Sequence, residues 1–523
     1  MKALFLAFCG IISSVSLLFA QTPTVQIVQL NRSQGDTTEV TLQYSLVDPN
    51  NDPCEVWLRY STDGGRSFRP LMGATGDLGF PVSAGSRSIQ FNTQQLAQVG
   101  ALPVQLRVVA SDRQPVNVAA IVAQVDSNRL RQAVQQYAIP RHYITHTSTL
   151  ASVRDSLQQH FQRMQLPVKR HEFTFNNTAC ANILARQSGH LNDSSIWIID
   201  AHFDGVANSP GADDNASGVA GVLEISRILS QYEFERSLHY IGFDVEEQGL
   251  VGSNRYVNNA IDPGDKIRGV FNFEMIGFYN PAPNTQQLPP GFNQLFPALH
   301  AIIVADSFRG NFLANVGNTN SLALTALFDS AAARFVPSLK IYSMNLPGNG
   351  TIAPDFRRSD HASFWDRGYQ ALMLTDGADF RNSRYHTPAD SAATLNYTFM
   401  ADVVKATLAA AATAAKPMSA GKDDITYGFA LQVEGHPEHA ECQLQVQPNP
   451  TNGQFSLVIA GCQRPYGPAT LRIFSLDGKV QHEQLLPKAT SHQVRLDLSL
   501  PKGVYLVVTD NGHESFTAKL LVQ

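Results

Sequence analysis

The chain has 523 residues, 43% of them hydrophobic and 16% charged, with a formal net charge of −5. That length calls for three or four folded units, and the composition lets each bury a core. A weakly acidic balance with no basic stripe among aromatics speaks against nucleic acid as a partner.

The first twenty residues read Met1-Lys2, an apolar run to Phe8, and a second from Ile11 to Ala20 ahead of Gln21. A single early Lys and a short apolar stretch predict a secretory signal peptide over 1–20, too short and poorly flanked for an anchor. No later stretch is expected to span a bilayer, so the mature protein is expected to be exported and soluble. With Cys9 lost in the signal, Cys54, Cys180, Cys442 and Cys462 remain. Export permits disulfides, and Cys442 with Cys462 could pair inside one C-terminal unit. Cys54 and Cys180 fall in different units and are expected as buried free thiols. No CxxC supports a zinc ribbon or redox motif.

Residues 21–125 hold short alternating segments, Val40–Leu46, Val56–Tyr60 and Gln105–Ala110, divided by turns such as Asp63-Gly64-Gly65. This predicts a β-sandwich of the fibronectin or immunoglobulin kind. Asp48, Asp52 and Glu55 offer carboxylates for a calcium loop, but a solvated Asp-Pro-Asn-Asn-Asp-Pro turn explains them more simply.

Residues 126–416 change pattern. Leu150, Val153, Leu157, Phe161 and Met164 recur at helical spacing, and Val168–Phe175 turns strand-like. A buried strand at Ile196–Asp200 is followed by an amphipathic helix over 217–232, with Val219, Val222, Ser226 and Leu229 on one stripe. Further apolar strands are expected at Leu238–Phe243, Val270–Phe273, Phe312–Val316 and Ala371–Thr375, closed by an alanine-rich helix over 396–415. This alternation predicts an α/β domain, a mixed, mostly parallel sheet with helices on both faces. In such sheets ligand sites gather at the carboxyl ends of strands. The Pro-, Asn- and Gly-rich stretch 281–354 is expected as an insertion overhanging that site, and 417–440 as a linker. Residues 441–523 alternate again, with strands at Ala469–Phe474 and Gly503–Val508 around the turn Leu476-Asp477-Gly478, and predict a second β-sandwich.

Candidate metal-binding side chains lie just past the predicted strand ends. His202 is followed by Asp204, a carboxylate placed to receive the second N–H of a ligating imidazole. Asp214 lies in the loop opening the next helix, where both oxygens could serve two cations. Glu246 and Glu247 are adjacent and face different ways, so one can bind metal while the other takes a proton from water. Glu274 follows Val270–Phe273, and His386 stands in Tyr385-His386-Thr-Pro-Ala-Asp390. Singly, each element reads as a polar turn or a solvated face; their joint occurrence in order at strand ends carries the signal.

His202-Phe-Asp204, Gly211-Ala-Asp-Asp214-Asn-Ala-Ser-Gly218, Glu246-Glu247-Gln-Gly-Leu-Val-Gly-Ser253, Asn272-Phe-Glu274-Met-Ile-Gly277, Ser359-Asp-His361 and Tyr385-His386-Thr-Pro together resemble the co-catalytic two-zinc exopeptidase family. That family includes bacterial leucyl aminopeptidase, plasma glutamate carboxypeptidase and the transferrin-receptor protease-like domain. The resemblance covers about 130–415. It implies one zinc on His202, Asp214 and Glu274 and a second on Asp214, Glu247 and His386. Glu246 would be the general base, with Asp204 orienting His202. Glu274 stands where the best-known members have Asp, and Phe356 where some have Tyr. This leaves Tyr385 either as the group that stabilises the oxyanion or as a packing aromatic. Arg358, Asp360 and His361 are expected to shape the site.

Pro448-Asn-Pro-Thr-Asn-Gly453, Leu476-Asp-Gly-Lys479 and Gly503-Val-Tyr-Leu506 resemble the sorting domain of type IX secretion cargo. That resemblance implies the type IX machinery as a partner, passage through the periplasm of a Gram-negative bacterium, and release or attachment at the cell surface. The expected activity is aminopeptidase action on peptide substrates. A carboxypeptidase or dipeptidase on the same scaffold is the nearest rival, followed by a glutaminyl cyclase and an inactive receptor-like domain.

Overall fold

Residues 168–375 build the sheet that organises the molecule. Its strands are β1 (Val168–Phe175), β2 (Thr178–Gln187), β3 (Ser195–His202), β4 (Ser237–Phe243), β5 (Lys266–Phe273), β6 (Leu313–Asn318), β7 (Ile341–Leu346) and β8 (Ala371–Thr375). They lie in the order β7-β6-β8-β5-β3-β4-β2-β1. The four central strands are parallel, while β1, β2 and the β6–β8 pairing are antiparallel. From β3 the chain runs out to β4 on one side and returns to β5 on the other, so a crevice opens at the carboxyl end of β3. This computed structural model describes residues 22–32, 39–62, 65, 68–93, 104–190, 195–427, 443–447, 449, 451, 454–460, 469–475, 480–486, 492–510 and 515–522. The predicted signal peptide, Cys442, Cys462 and the Leu476–Lys479 turn lie outside them.

Side-chain alternation along the strands divides the domain into two cores. Leu372 and Leu374 of β8 face one, and Ala371 and Met373 the other. The first is covered by helices Ser127–Tyr137, Thr147–Arg163, Gly218–Leu229, Leu322–Phe335 and Tyr397–Ala415, the second by Val251–Asn259, Pro297–Ala305 and His361–Asp366. Helix Thr147–Arg163 buries Leu150, Val153, Leu157 and Phe161, the stripe legible in the sequence. Helix Gly218–Leu229, expected to be amphipathic, is buried all round except at Arg227. Helices Ser127–Tyr137 and Tyr397–Ala415 pack over the side that would otherwise meet water. Contrary to expectation, Tyr397–Ala415 is long and apolar enough to cross a membrane, but 78% of its apolar window is buried inside the domain.

Residues 281–354 are not simply an insertion. Their first part forms loop around the site, and the rest contributes β6, β7 and helices Pro297–Ala305 and Leu322–Phe335 to the sheet and its layers. The Pro bias that suggested an insertion belongs mainly to the two ends of the stretch, whereas Asn315 and Asn318 lie within β6.

The N-terminal unit packs a sheet of Thr24–Arg32, Glu39–Val47, Gly85–Asn92 and Thr75–Gly76 on a second built round Cys54–Ser61 and Val104–Ser111. The presumed linker corrects itself here. Ala420–Tyr427 pairs antiparallel with Val104–Ser111 along its whole length and completes that sheet. Its Lys422, Asp423 and Asp424 suit an exposed sheet edge, which is why the stretch reads as linker. The boundary at 125/126 shifts as well, because Ile121 and Val122 already belong to the first core of the α/β domain. The Asp48 carboxylate accepts from the backbone of Asn50 and Asp52, and Glu55 pairs with Arg113, as a polar turn requires. Cys54 and Cys180 are buried free thiols. The C-terminal unit stacks a three-stranded sheet on a four-stranded one around Phe455, Leu471, Ile473 and Val507.

Candidate metal centre

β3 delivers His202 as its last residue, with Asp204 two residues beyond. Asp204 accepts from the backbone N–H of Glu246 at 2.9 Å and of Glu247 at 3.2 Å, stapling the turn after β4 to the end of β3. Its Oδ1 lies 3.4 Å from His202 Nδ1. Val245, Met275 and His386 adopt φ of +57°, +53° and +58°, each beside or at a site residue. Left-handed backbone at non-glycine residues costs about 1–3 kcal/mol each and persists only where surroundings impose it, as they do at functional sites.

Seven side chains from five segments meet in this crevice. Nε2 of His202 lies 3.3 Å from Asp214 Oδ1, 3.5 Å from Glu274 Oε2 and 3.8 Å from Glu246 Oε2. Nε2 of His386 lies 3.0 Å from Asp214 Oδ2 and 3.1 Å from Glu247 Oε2. Asp214 therefore offers one oxygen to each imidazole. Two triads result, His202–Asp214–Glu274 and Asp214–Glu247–His386, each with ligand atoms within 4.8 Å of one another. The adjacent glutamates diverge, Glu247 into the second triad and Glu246 toward His202.

The donor sets fit a borderline divalent cation, since each triad holds one imidazole and two carboxylates and leaves room for a further ligand. Glu247 Oε1 is buried without a hydrogen bond. Burial and the neighbouring Asp214 push the Glu247 carboxyl up to about 7. Burial likewise raises Glu246 well above the usual carboxylate range, reinforced by Glu274, Asp360 and Glu247 and opposed by His202. Burial opposes protonation of His386, but Asp214 and Glu247 outweigh it and lift the imidazole to about 10. His202 is raised in the same way, its burial overcome by Glu246, Asp204, Asp214 and Glu274.

A metal needs both imidazoles neutral, so at neutral pH its uptake displaces the protons they hold. Zn²⁺ titration by calorimetry is expected to give an enthalpy that varies with buffer ionisation heat, corresponding to release of about two protons. Apparent affinity is expected to fall as pH drops below about 10, where His386 protonates. A buffer-independent enthalpy contradicts this.

Tyr385 stacks on His386 at 3.7 Å between ring centroids, and its hydroxyl accepts from Arg358 Nη2 at 3.1 Å. Arg358 also meets Asp379 at 3.2 Å. Phe356 is buried against Phe292 and Phe296, and its carbonyl lies 2.9 Å from His361 Nε2, so His361 supports the loop rather than the triads.

Three supporting residues escaped the sequence reading. Asp390 accepts from the backbone N–H groups of Asp213 and Asp214 at 3.0–3.2 Å, Ser359 Oγ donates to Glu274 Oε2 at 2.7 Å, and Arg141 lies beneath the Asp214 loop. Asp390 and Ser359 stood inside quoted motifs, where a support is indistinguishable from a spacer. Arg141 had no neighbouring signal.

Beside Glu274 opens a cavity of about 70 Å³, part of it open to solvent. Phe292, Ile303, Phe312, Val316, Met344 and Met373 make its wall apolar, while Arg358, Asp379 and Tyr385 stand among its polar lining.

Fold and site define the class, an α/β domain with two triads of potential metal ligands that share one carboxylate at a strand switch point. Residues 182–411 match the family model described as Peptidase family M28, and residues 445–523 match that described as Secretion system C-terminal sorting domain. The chain is 36% identical over 224 residues to uncharacterized protein YfbL of Escherichia coli K12, covering 40% of this chain and 65% of that protein. It is 35% identical over 105 residues to aminopeptidase YwaD of Bacillus subtilis, 20% of this chain and 23% of that one. It is 28% identical over 259 residues to a probable leucine aminopeptidase 2 of Aspergillus oryzae, 46% of each. The chain thus spans between 23% and 65% of the length of these relatives. Among solved structures, LapB of Legionella pneumophila aligns at 20% identity and TM-score 0.45 over 58% of this chain and 76% of that one.

Proposed function

We propose that this chain is an exported zinc exopeptidase that removes amino-terminal residues from peptides. The observation that carries the proposal is the pair of triads sharing Asp214, with Glu246 beside them and bound to neither. His202, Asp214 and Glu274 would hold one zinc, and Asp214, Glu247 and His386 the other. The ions would supply Lewis-acid polarisation of the scissile carbonyl and a lowered pKa for the attacking water.

The chain's own groups then have distinct tasks. Glu246 takes the proton of the attacking water and passes it to the leaving amine. Asp204 fixes both the His202 ring and the turn that aims Glu246. Tyr385, its hydroxyl oxygen occupied by Arg358, keeps its own proton free to donate to the carbonyl oxygen as charge develops there.

The aminopeptidase names of two relatives favour the amino end, and so does Arg358. A carboxypeptidase would use that guanidinium for the terminal carboxylate, but here it is engaged by Asp379 and Tyr385. Two complete triads favour peptide hydrolysis over glutaminyl cyclisation, which uses one zinc. The apolar cavity suits a large hydrocarbon side chain at the terminal residue. The sorting domain supports secretion or surface attachment; the proposed route is through the periplasm of a Gram-negative bacterium by type IX machinery.

A panel of aminoacyl and carboxy-terminal chromogenic peptides tests this reading. Substrates with Leu, Phe or Met at the amino end are expected to exceed Gly or Asp by at least about tenfold in kcat/KM. Chelation is expected to abolish turnover and Zn²⁺ to restore it. Hydrolysis from the carboxyl end alone, or turnover indifferent to chelator, overturns the proposal.

A further inference from the structure

Arg141 is only 1% exposed, and it precedes the residues that match the peptidase family. Its Nε donates to the carbonyl of Phe203 at 2.7 Å. Nη1 donates to the carbonyls of Tyr137 at 2.9 Å, Ile139 at 3.1 Å and Pro210 at 2.6 Å. Nη2 donates to those of Gly211 at 3.0 Å and Asp214 at 3.3 Å. All six acceptors are backbone carbonyls. The acceptors fall on three segments: the end of helix Ser127–Tyr137 with the turn after it, the residue directly after His202, and both ends of the loop that carries Asp214.

A buried guanidinium held only by neutral dipoles is expensive, so its retention calls for a reason. Four carboxylates, those of Asp214, Asp204, Asp390 and Glu247, act on Arg141 through space, and their field offsets part of that cost. The loop is also shaped to admit the group. Gly211 has φ of +59°, and a Cβ there would stand 2.1 Å from the Asp214 carbonyl oxygen and 3.0 Å and 3.1 Å from the two terminal nitrogens of Arg141. Lysine could not replace this arrangement, because an ammonium is a point donor without the planar fork that reaches opposed carbonyls.

We propose that Arg141 is a positioning residue whose guanidinium clamps the Asp214 loop to the end of β3, so that one carboxylate is shared between the two cation sites. The proposal rests on the two-metal reading. Displacing that loop weakens both sites together, since Asp214 belongs to both.

Full-length metal-free protein, titrated with Zn²⁺ against a chromogenic chelator, supplies the test, with thermal unfolding of each metal-free variant as the fold control. Arg141→Met is expected to keep a cooperative unfolding transition and to weaken both zinc-binding steps by about 10–100-fold. Arg141→Lys, which keeps the charge and loses the fork, is expected to remain weakened at both steps. For Arg141→Ala, guanidinium ion below denaturing concentration is expected to restore zinc affinity, whereas urea is not. Folded variants that bind zinc as tightly as the native chain, or more tightly because a like charge has gone, overturn the proposal. Loss of cooperative unfolding in all three variants also overturns it, by marking Arg141 as a support of the fold alone. Native protein that takes up no zinc defeats the two-metal reading itself, an outcome separate from native uptake with unaltered variants.

Discussion

Glu246→Gln is expected to lower kcat by about 10²–10⁴-fold, the usual contribution of a positioned general base. The amide keeps the volume and hydrogen-bonding reach of the carboxylate but cannot accept the proton of the attacking water. Glu246 belongs to neither triad, so zinc content measured by elemental analysis is expected to match the native protein. KM is expected to change little, since the proton moves only in the transition state. Glu246 is also 92% buried, with Glu274 and Glu247 contributing to its raised proton affinity. Divalent charge held by the two triads would counter those carboxylates and favour the basic form of Glu246. A Glu246→Gln enzyme with native kcat removes it from the chemistry.

Asp214→Ala is expected to have the broadest effect of any single change at the site, because it takes a ligand from both triads at once. Burial works against ionisation of this carboxyl, yet hydrogen bonds from His202 and His386 hold it well below the usual carboxylate range. It therefore stays anionic and able to bridge. Loss of both metals is expected at stoichiometric zinc, with a fall in activity exceeding the roughly 10–100-fold typical of residues that only support a ligand. His386→Ala is the informative comparison, since it strips one triad and leaves His202, Asp214 and Glu274 together. Elemental analysis is expected to find one zinc in that variant and none in Asp214→Ala. Equal zinc content in the two contradicts the bridging role.

Part of the proposed ligand set was legible because it sits just past a strand whose apolar run is unmistakable, as His202 does after Ile196–Asp200 and Glu274 after Val270–Phe273; Asp214 and His386 lie in longer loops and were legible only through the motifs around them. Strand ends fix direction, and several carboxylates at such ends make a convergent cluster the economical reading. Arg141 was not legible for the opposite reason. It acts entirely through backbone carbonyls, which carry no side-chain identity, so nothing in its neighbours hints at its partners. The same holds for Ala420–Tyr427, whose charged residues look solvated until the strand it completes is known. Helix Gly218–Leu229 shows a third limit. Its stripe was correctly read as buried, but burial of the rest of the helix depends on elements distant in sequence.

The pairing of Ala420–Tyr427 with Val104–Ser111 gives the molecule an uneven modularity. The catalytic domain begins and ends on neighbouring strands of one sheet, so it is an inset whose two attachment points lie side by side. Arg107–Asp424 and Lys422–Glu233 further fasten that junction. Trimming the chain from its amino end as far as the catalytic domain would therefore strip a strand of its partner and expose a sheet edge. A cut between Tyr427 and Gln443 severs none of these strand pairings. Among the described residues the last unit shares no strand pairing with the rest, so its loss leaves every one of those pairings intact.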